Sequence, residues 1–291
     1  MNARQVFVGT TGTLRAPWRL AAFAVASIAS LIVATGILGP MLAGLFGVVG
    51  LRGVSTQEWV IVAGLLGGTS ICVRWIDKRP WSDVWLDRSA ARPFALGYGF
   101  AIGALAIGIP ICLLVGARWL REQPSSAGSW IAAASRVSFV LLPAALLEEL
   151  LTRGYVLSVL RDAWGWPWAI VATSVGFGLL HLQNPSASVG SVTLVTLAGF
   201  FLAGVLYATR SLYAAWAAHF AWNWTMAVAF HTAVSGIPME APRYRYVDAG
   251  PDWATGGDWG PEGGVPAGLG MIAGIAYFFV RRRREPAREE T

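Results

Sequence analysis

Apolar residues in this chain come in long unbroken blocks rather than on one face of a helix. Runs of about 20 mostly apolar residues, the length that crosses a bilayer, fall at roughly 18–48, 57–76, 93–117, 142–161, 166–183, 190–208, 211–233 and 266–280. A helix that is apolar all round needs lipid or a very large core to hide in, and a chain of 291 residues cannot supply that core for so many helices. The pattern predicts an all-α fold, a polytopic transmembrane helical bundle of about eight spans. The first run is too long for one straight crossing, and Gly36, Gly39 and Pro40 stand where it would break or tilt.

Composition agrees. Hydrophobic residues make up 55% and charged residues 13%, against about 25% charged in an ordinary soluble domain, and the mean hydropathy is +0.55. A net charge of +6 suggests nucleic acid at first sight, but the placement of the charges excludes it. Arg4, Arg15 and Arg19 precede the first run and Arg281–Arg284 follow the last, which is how basic residues mark topology and meet anionic lipid headgroups.

Alternating the sides from a cytoplasmic N-terminus puts Lys78, Arg79, Arg88, Arg92, Arg161, Arg210 and the terminal arginines inside. Outside lies the longest loop, about 236–265, with Glu240, Asp248, Asp252, Asp258 and Glu262 against Arg243 and Arg245. Arg118 and Arg121 run against this asymmetry. Both termini are therefore expected in the cytoplasm. The arginine-rich, lysine-poor composition points to a bacterial plasma membrane. The N-terminal run outlasts a signal-peptide core and reads as a retained span. Cys72 and Cys112 sit in apolar runs without partners at metal or redox spacing and read as small hydrophobes.

Four regions follow from this reading. Residues 1–127 hold about three N-terminal spans, and 128–233 form the helical core with the polar motifs. Residues 234–265 are an acidic outer loop rich in Gly, Pro and Trp, expected to be irregular and partly ordered. Residues 266–291 give the last span and a basic tail, disordered beyond Pro286.

Ionisable residues inside spans cost about 2.5–3.5 kcal/mol each on insertion scales and need a reason. They gather in three helices. In Glu148-Glu149-x-x-x-Arg153, Glu149 and Arg153 are four apart with the acid first, the spacing of a structural ion pair. Glu148 lies about 100° round the helix from Glu149 and needs another partner. Phe177-x-x-x-His181 ends a later helix, and His219-x-x-x-Asn223 shares one face of the next. If Arg161, Trp166 and Ser211 mark inner ends, Glu148, His181, His219 and Asn223 lie about 20, 22, 12 and 18 Å deep at about 1.5 Å per residue. That agreement takes 142–161 as the span, with 128–141, including Trp130 and Arg136, along the outer interface. Trp222 and Trp224 flank Asn223, with packing or lipid contact as their expected use and the lining of a substrate groove as the alternative.

One carboxylate, two imidazoles and a carboxamide in a low-dielectric site can hydrolyse an amide. Glu148 with His181 can hold and deprotonate a water, while Asn223 and His219 donate to the oxyanion. Two histidines and a glutamate also make a catalytic zinc set, Glu148, His181 and His219, with a fourth position open. A proton-coupled transporter fits buried Glu, His and Arg less well, since no internal repeat is present. A scaffold or immunity protein that keeps the residues for packing is a further reading.

The three motifs, in this order and across about 142–233, resemble the CPBP family of CAAX prenyl endoproteases and bacteriocin-processing Abi proteins. The resemblance implies a helical intramembrane endopeptidase in which Glu148 and His181 activate water and His219 and Asn223 form the oxyanion hole. Glu149, Arg153 and Phe177 would support them. It favours a glutamate-activated water with no metal cofactor over a divalent ion such as zinc. The implied partners are a peptide or membrane-protein substrate and the lipid bilayer, with no nucleic acid.

Overall fold

The computed structural model describes residues 6–9, 12–51 and 53–284, with the side chains of 279 and 281–284 outside the description. Arg4, the side chains of the terminal arginine cluster and the tail beyond Pro286 therefore lie outside the described residues.

The chain forms a helical bundle. α1 is Ala16–Val48, α2 is Gln57–Ile71 and runs on as a π turn to Ile76, and α3 is Pro93–Gly116. α4 is Trp130–Thr152, α5 is Tyr155–Leu180 and α6 is Val189–Thr209. α7 is Leu212–Trp224, extended by a π turn Thr225–Ala229, and α8 is Val265–Arg284. Five helical stretches are long and apolar enough to cross a membrane, with α4 and α5 forming one such stretch. α7 has 13 residues and the apolar part of α8 is also short. The helix starts are written locally. Ser129, Ser188 and Ser211 each accept a backbone N–H with the side-chain hydroxyl, and proline opens α3, where a missing N–H costs nothing.

Three expectations change. α1 runs without a break through Pro40, because one proline removes a single backbone bond from a helix held on both sides of it. The stretch 142–161 is not one helix, and 128–141 is not a separate interfacial segment. Instead α4 starts at Trp130 and stops at Thr152, and Gly154 leaves the helical region at φ −79° and ψ −125°. α5 is itself two helices in series, joined at Gly165 with φ 77° and ψ 168°, a conformation open to glycine. The chain folds back there, since the Arg153 guanidinium sits 4.2 Å from the Phe177 ring centroid, a meeting that a straight helix would forbid.

The outer loop is the third change. Leu120–Pro124 (β1) pairs antiparallel with Tyr244–Asp248 (β2), from Leu120 opposite Asp248 to Pro124 opposite Tyr244. The loop is pinned to the bundle by Arg136, which donates Nε–H to Glu240 at 2.9 Å, and by His231, whose Nδ1 meets the Tyr244 carbonyl at 2.7 Å. Bonded to Arg136, the Glu240 carboxyl is held below the usual carboxylate range. This loop is an ordered cap.

α3 and α7 carry the closest helix contact. Gly99 and Gly103 face Ala214 and Ala218, and a Cβ on Gly103 would stand 2.0 Å from the Ala218 carbonyl oxygen. Small residues four apart let two backbones approach in a membrane, and Ala218 directly precedes His219. Replacing Gly103 with Val is expected to cost about 1–3 kcal/mol through overpacking and to lower the melting temperature in lipid nanodiscs. An unchanged melt would show that the two helices are not held this closely. At the end away from the cap, Arg19 bonds Asp77 at 2.6 Å and Asp162 at 3.0 Å, and Tyr155 donates to Asp77 at 2.8 Å, which ties α1, α2 and α5 together.

Candidate active site

The site is assembled from α4, α5 and α7. The last turn of α4 carries the two glutamates, and they face different partners. Glu149 and Arg153 are fully buried and paired, Arg153 Nη1 to Glu149 Oε1 at 2.9 Å. The same Oε1 accepts from His219 Nδ1 at 2.9 Å. Arg153 also donates to Thr152 Oγ1 at 2.8 Å and to the Gly199 carbonyl at 3.1 Å, so the pair anchors α4 to α6 and aims a histidine of α7. The sequence spacing revealed the ion pair. The link to His219 crosses helices and left no mark on it.

Among the described residues no arginine forms an ion pair with Glu148. Its Oε2 lies 3.8 Å from Nε2 of His181 and 3.8 Å from Nε2 of His219. That oxygen is buried and has no hydrogen-bond partner. His181 follows the last turn of α5, with Nδ1 2.8 Å from the Phe177 carbonyl. A carbonyl only accepts, so Nδ1 carries the proton and Nε2 of the neutral ring presents a lone pair toward Glu148. His219 is oriented in the same way by Glu149. Phe177 packs against both imidazoles, 4.9 Å from His181 and 5.7 Å from His219 between centroids.

A pocket opens beside these groups, lined among others by Phe177, His181, His219, Trp222 and Asn223. The enclosed space is about 20 Å³, room for about one water. The structure thus brings Glu148, His181 and His219 together and puts Asn223 in the same pocket. Trp222 lines it as well, while Trp224 turns away to donate to Ser138 Oγ at 3.1 Å.

Two pocket residues come from the cap, where the sequence offered no motif. Glu262 is 5% exposed. Its Oε2 accepts from Trp222 Nε1 at 2.8 Å, and its Oε1 accepts from the Ser235 N–H at 2.7 Å and hydroxyl at 2.6 Å. Ser235 is held at φ 50°, a left-handed conformation costly for a residue with a Cβ. Asn184, three residues past His181, donates to the Ser235 carbonyl at 3.1 Å. In the sequence Glu262 is one of five acids in a loop. Only the fold turns it inward.

The side chains do not fit a metal as they stand. Tetrahedral zinc ligands at about 2.0–2.1 Å lie roughly 3.3 Å from one another. Among the described residues no group of three or more His, Cys, Asp or Glu is arranged to hold an ion.

In comparison with known protein families, residues 130–225 match the Rce1-like model, type II CAAX prenyl endopeptidase. No curated protein and no solved structure matches the chain. The apolar helices are those of an integral membrane protein, and its residues 130–225 are similar to the family that the three motifs resemble.

Proposed function

We propose that this chain, with its Rce1-like domain at residues 130–225, is an intramembrane endopeptidase that hydrolyses a peptide bond with a water activated by Glu148 and His181. The observation that carries the reading is a pair of acceptors 3.8 Å apart, Glu148 Oε2 and His181 Nε2, of which Glu148 Oε2 has no hydrogen-bond partner among the described residues. A water in reach of both donates one hydrogen to each. Glu148 takes a proton as the water oxygen attacks the scissile carbonyl, and returns it to the leaving amine as the tetrahedral intermediate collapses.

The oxyanion is met by Asn223 Nδ2–H and by His219. With Nδ1–H already given to Glu149, His219 donates from Nε2 only as the imidazolium. Glu149 then acts as its counter-charge. A preorganised donor of this kind is worth on the order of 10²–10³ in rate. The steps as proposed use no metal. The substrate is a peptide or a membrane-protein segment reached from within the bilayer. The arginines at the ends of the helices favour both termini in the cytoplasm and the cap outside, and the arginine-rich, lysine-poor composition favours a bacterial plasma membrane.

The test is cleavage of a quenched membrane-peptide library by purified protein in nanodiscs, with and without a chelator. Cleavage indifferent to chelator is expected. Loss with chelator would recast Glu148, His181 and His219 as ligands of a divalent ion. Failure to cleave any member, with the protein shown to be folded, would count against the peptidase reading and for a scaffold.

A further inference from the structure

The mechanism above leaves one buried carboxylate of the pocket unused. Glu262 comes from the cap, shares the pocket with His181, His219 and Asn223, and is more than nine-tenths buried. Three donors meet it, all neutral, from Trp222 and Ser235. Among the described residues no arginine, lysine or histidine forms an ion pair with it, whereas Glu149 has Arg153 and Glu240 has Arg136. A carboxylate offers about four lone-pair sites, so one remains for a ligand. A buried charge without a counter-ion is costly, and the ligand that relieves the cost is a cation.

We propose that Glu262 is a specificity-determining residue that selects peptides carrying an ammonium or guanidinium group at the position that enters this end of the pocket. The proposal rests on the peptidase reading for the identity of the ligand as a peptide. A free terminal carboxylate placed there would meet the Glu262 carboxylate, and like charges so near disfavour binding. The site therefore takes a lysine or arginine side chain, or a free α-amine. Exposed charges on the cap do not supply this preference. Arg121, Arg243 and Arg245 are exposed, as are Asp248, Asp252 and Asp258, so the exposed charges of the cap are mixed in sign and selection falls to Glu262 in the pocket wall. The construction of the wall agrees with such a role. Ser235 adopts a strained φ and turns both its donors onto Oε1, which fixes the carboxylate without neutralising it.

The experiment measures binding of fluorescent peptide pairs that differ only by lysine or norleucine, scanned one position at a time. The full chain in nanodiscs carries Glu148→Gln to stop turnover. At one position lysine is expected to bind about tenfold more tightly than norleucine, and adding Glu262→Gln is expected to bring that ratio close to one. A ratio near one at every position, or one unmoved by Glu262→Gln, overturns the proposal. Should Glu262→Gln fail to fold, Ser235→Ala keeps the charge and frees a lone pair, so the lysine preference is expected to rise; a fall there also overturns the proposal. Because the readout is binding, a chain that never cleaves peptides would sink the peptidase reading and leave this result standing.

Discussion

Glu148→Gln is expected to lower the cleavage rate by on the order of 10³, within the range for removal of a general base, and to leave the melting temperature unchanged. The amide keeps the size of the carboxylate and loses only its capacity to take a proton. Among the described residues Glu148 Oε2 has no hydrogen-bond partner to give up. Single-turnover cleavage of the best library peptide, read beside a thermal melt, checks both halves. Equal rates for variant and parent would remove Glu148 from the mechanism. A stable Glu149→Gln protein without activity, beside an active Glu148→Gln protein, would mean that the two glutamates have exchanged roles.

The second large effect is on stability. Arg153→Ala strips the arginine partner from a fully buried Glu149 and also removes the bond to the Gly199 carbonyl. Breaking one partner out of a buried pair costs about 3–5 kcal/mol, because a charge stays behind without compensation. The loss should appear as a lower midpoint in denaturing-detergent titration. Glu149→Gln with Arg153→Met, which removes both charges, is expected to recover part of it. If Arg153→Ala stays within about 1 kcal/mol of the parent, the pair is not what holds α4 against α6. Glu149→Gln alone is expected to do two things at once, lowering stability and slowing cleavage, since Glu149 also orients His219.

The candidate site was largely legible in the sequence because its helices are. Glu149 and Arg153 pair at the spacing that put them on one face. Phe177 and His181, also four apart, meet through the backbone carbonyl of one and the ring of the other. A period of 3.6 residues is a local property, so residues a turn apart are neighbours whatever surrounds the helix. The segment boundaries were less legible. α4 ends at Thr152 instead of running through Arg161, since Arg153 turns to Gly199 and Phe177 across the bundle. A hydropathy pattern does not register a partner some 24 or 46 residues away along the chain.

What the sequence determined by itself is a helical membrane bundle, the three polar motifs and the identity of the unpaired glutamate. Blocks of apolar residues and i, i+4 spacing carry that much. The tertiary structure decided what those motifs face. It folded the chain back at Gly165, gave Glu149 to His219 as well as to Arg153, and turned Glu262 of the cap into the pocket. Each of these depends on contacts between segments distant in the chain, where the energy of burying a charge is settled by whichever donors the fold brings to it.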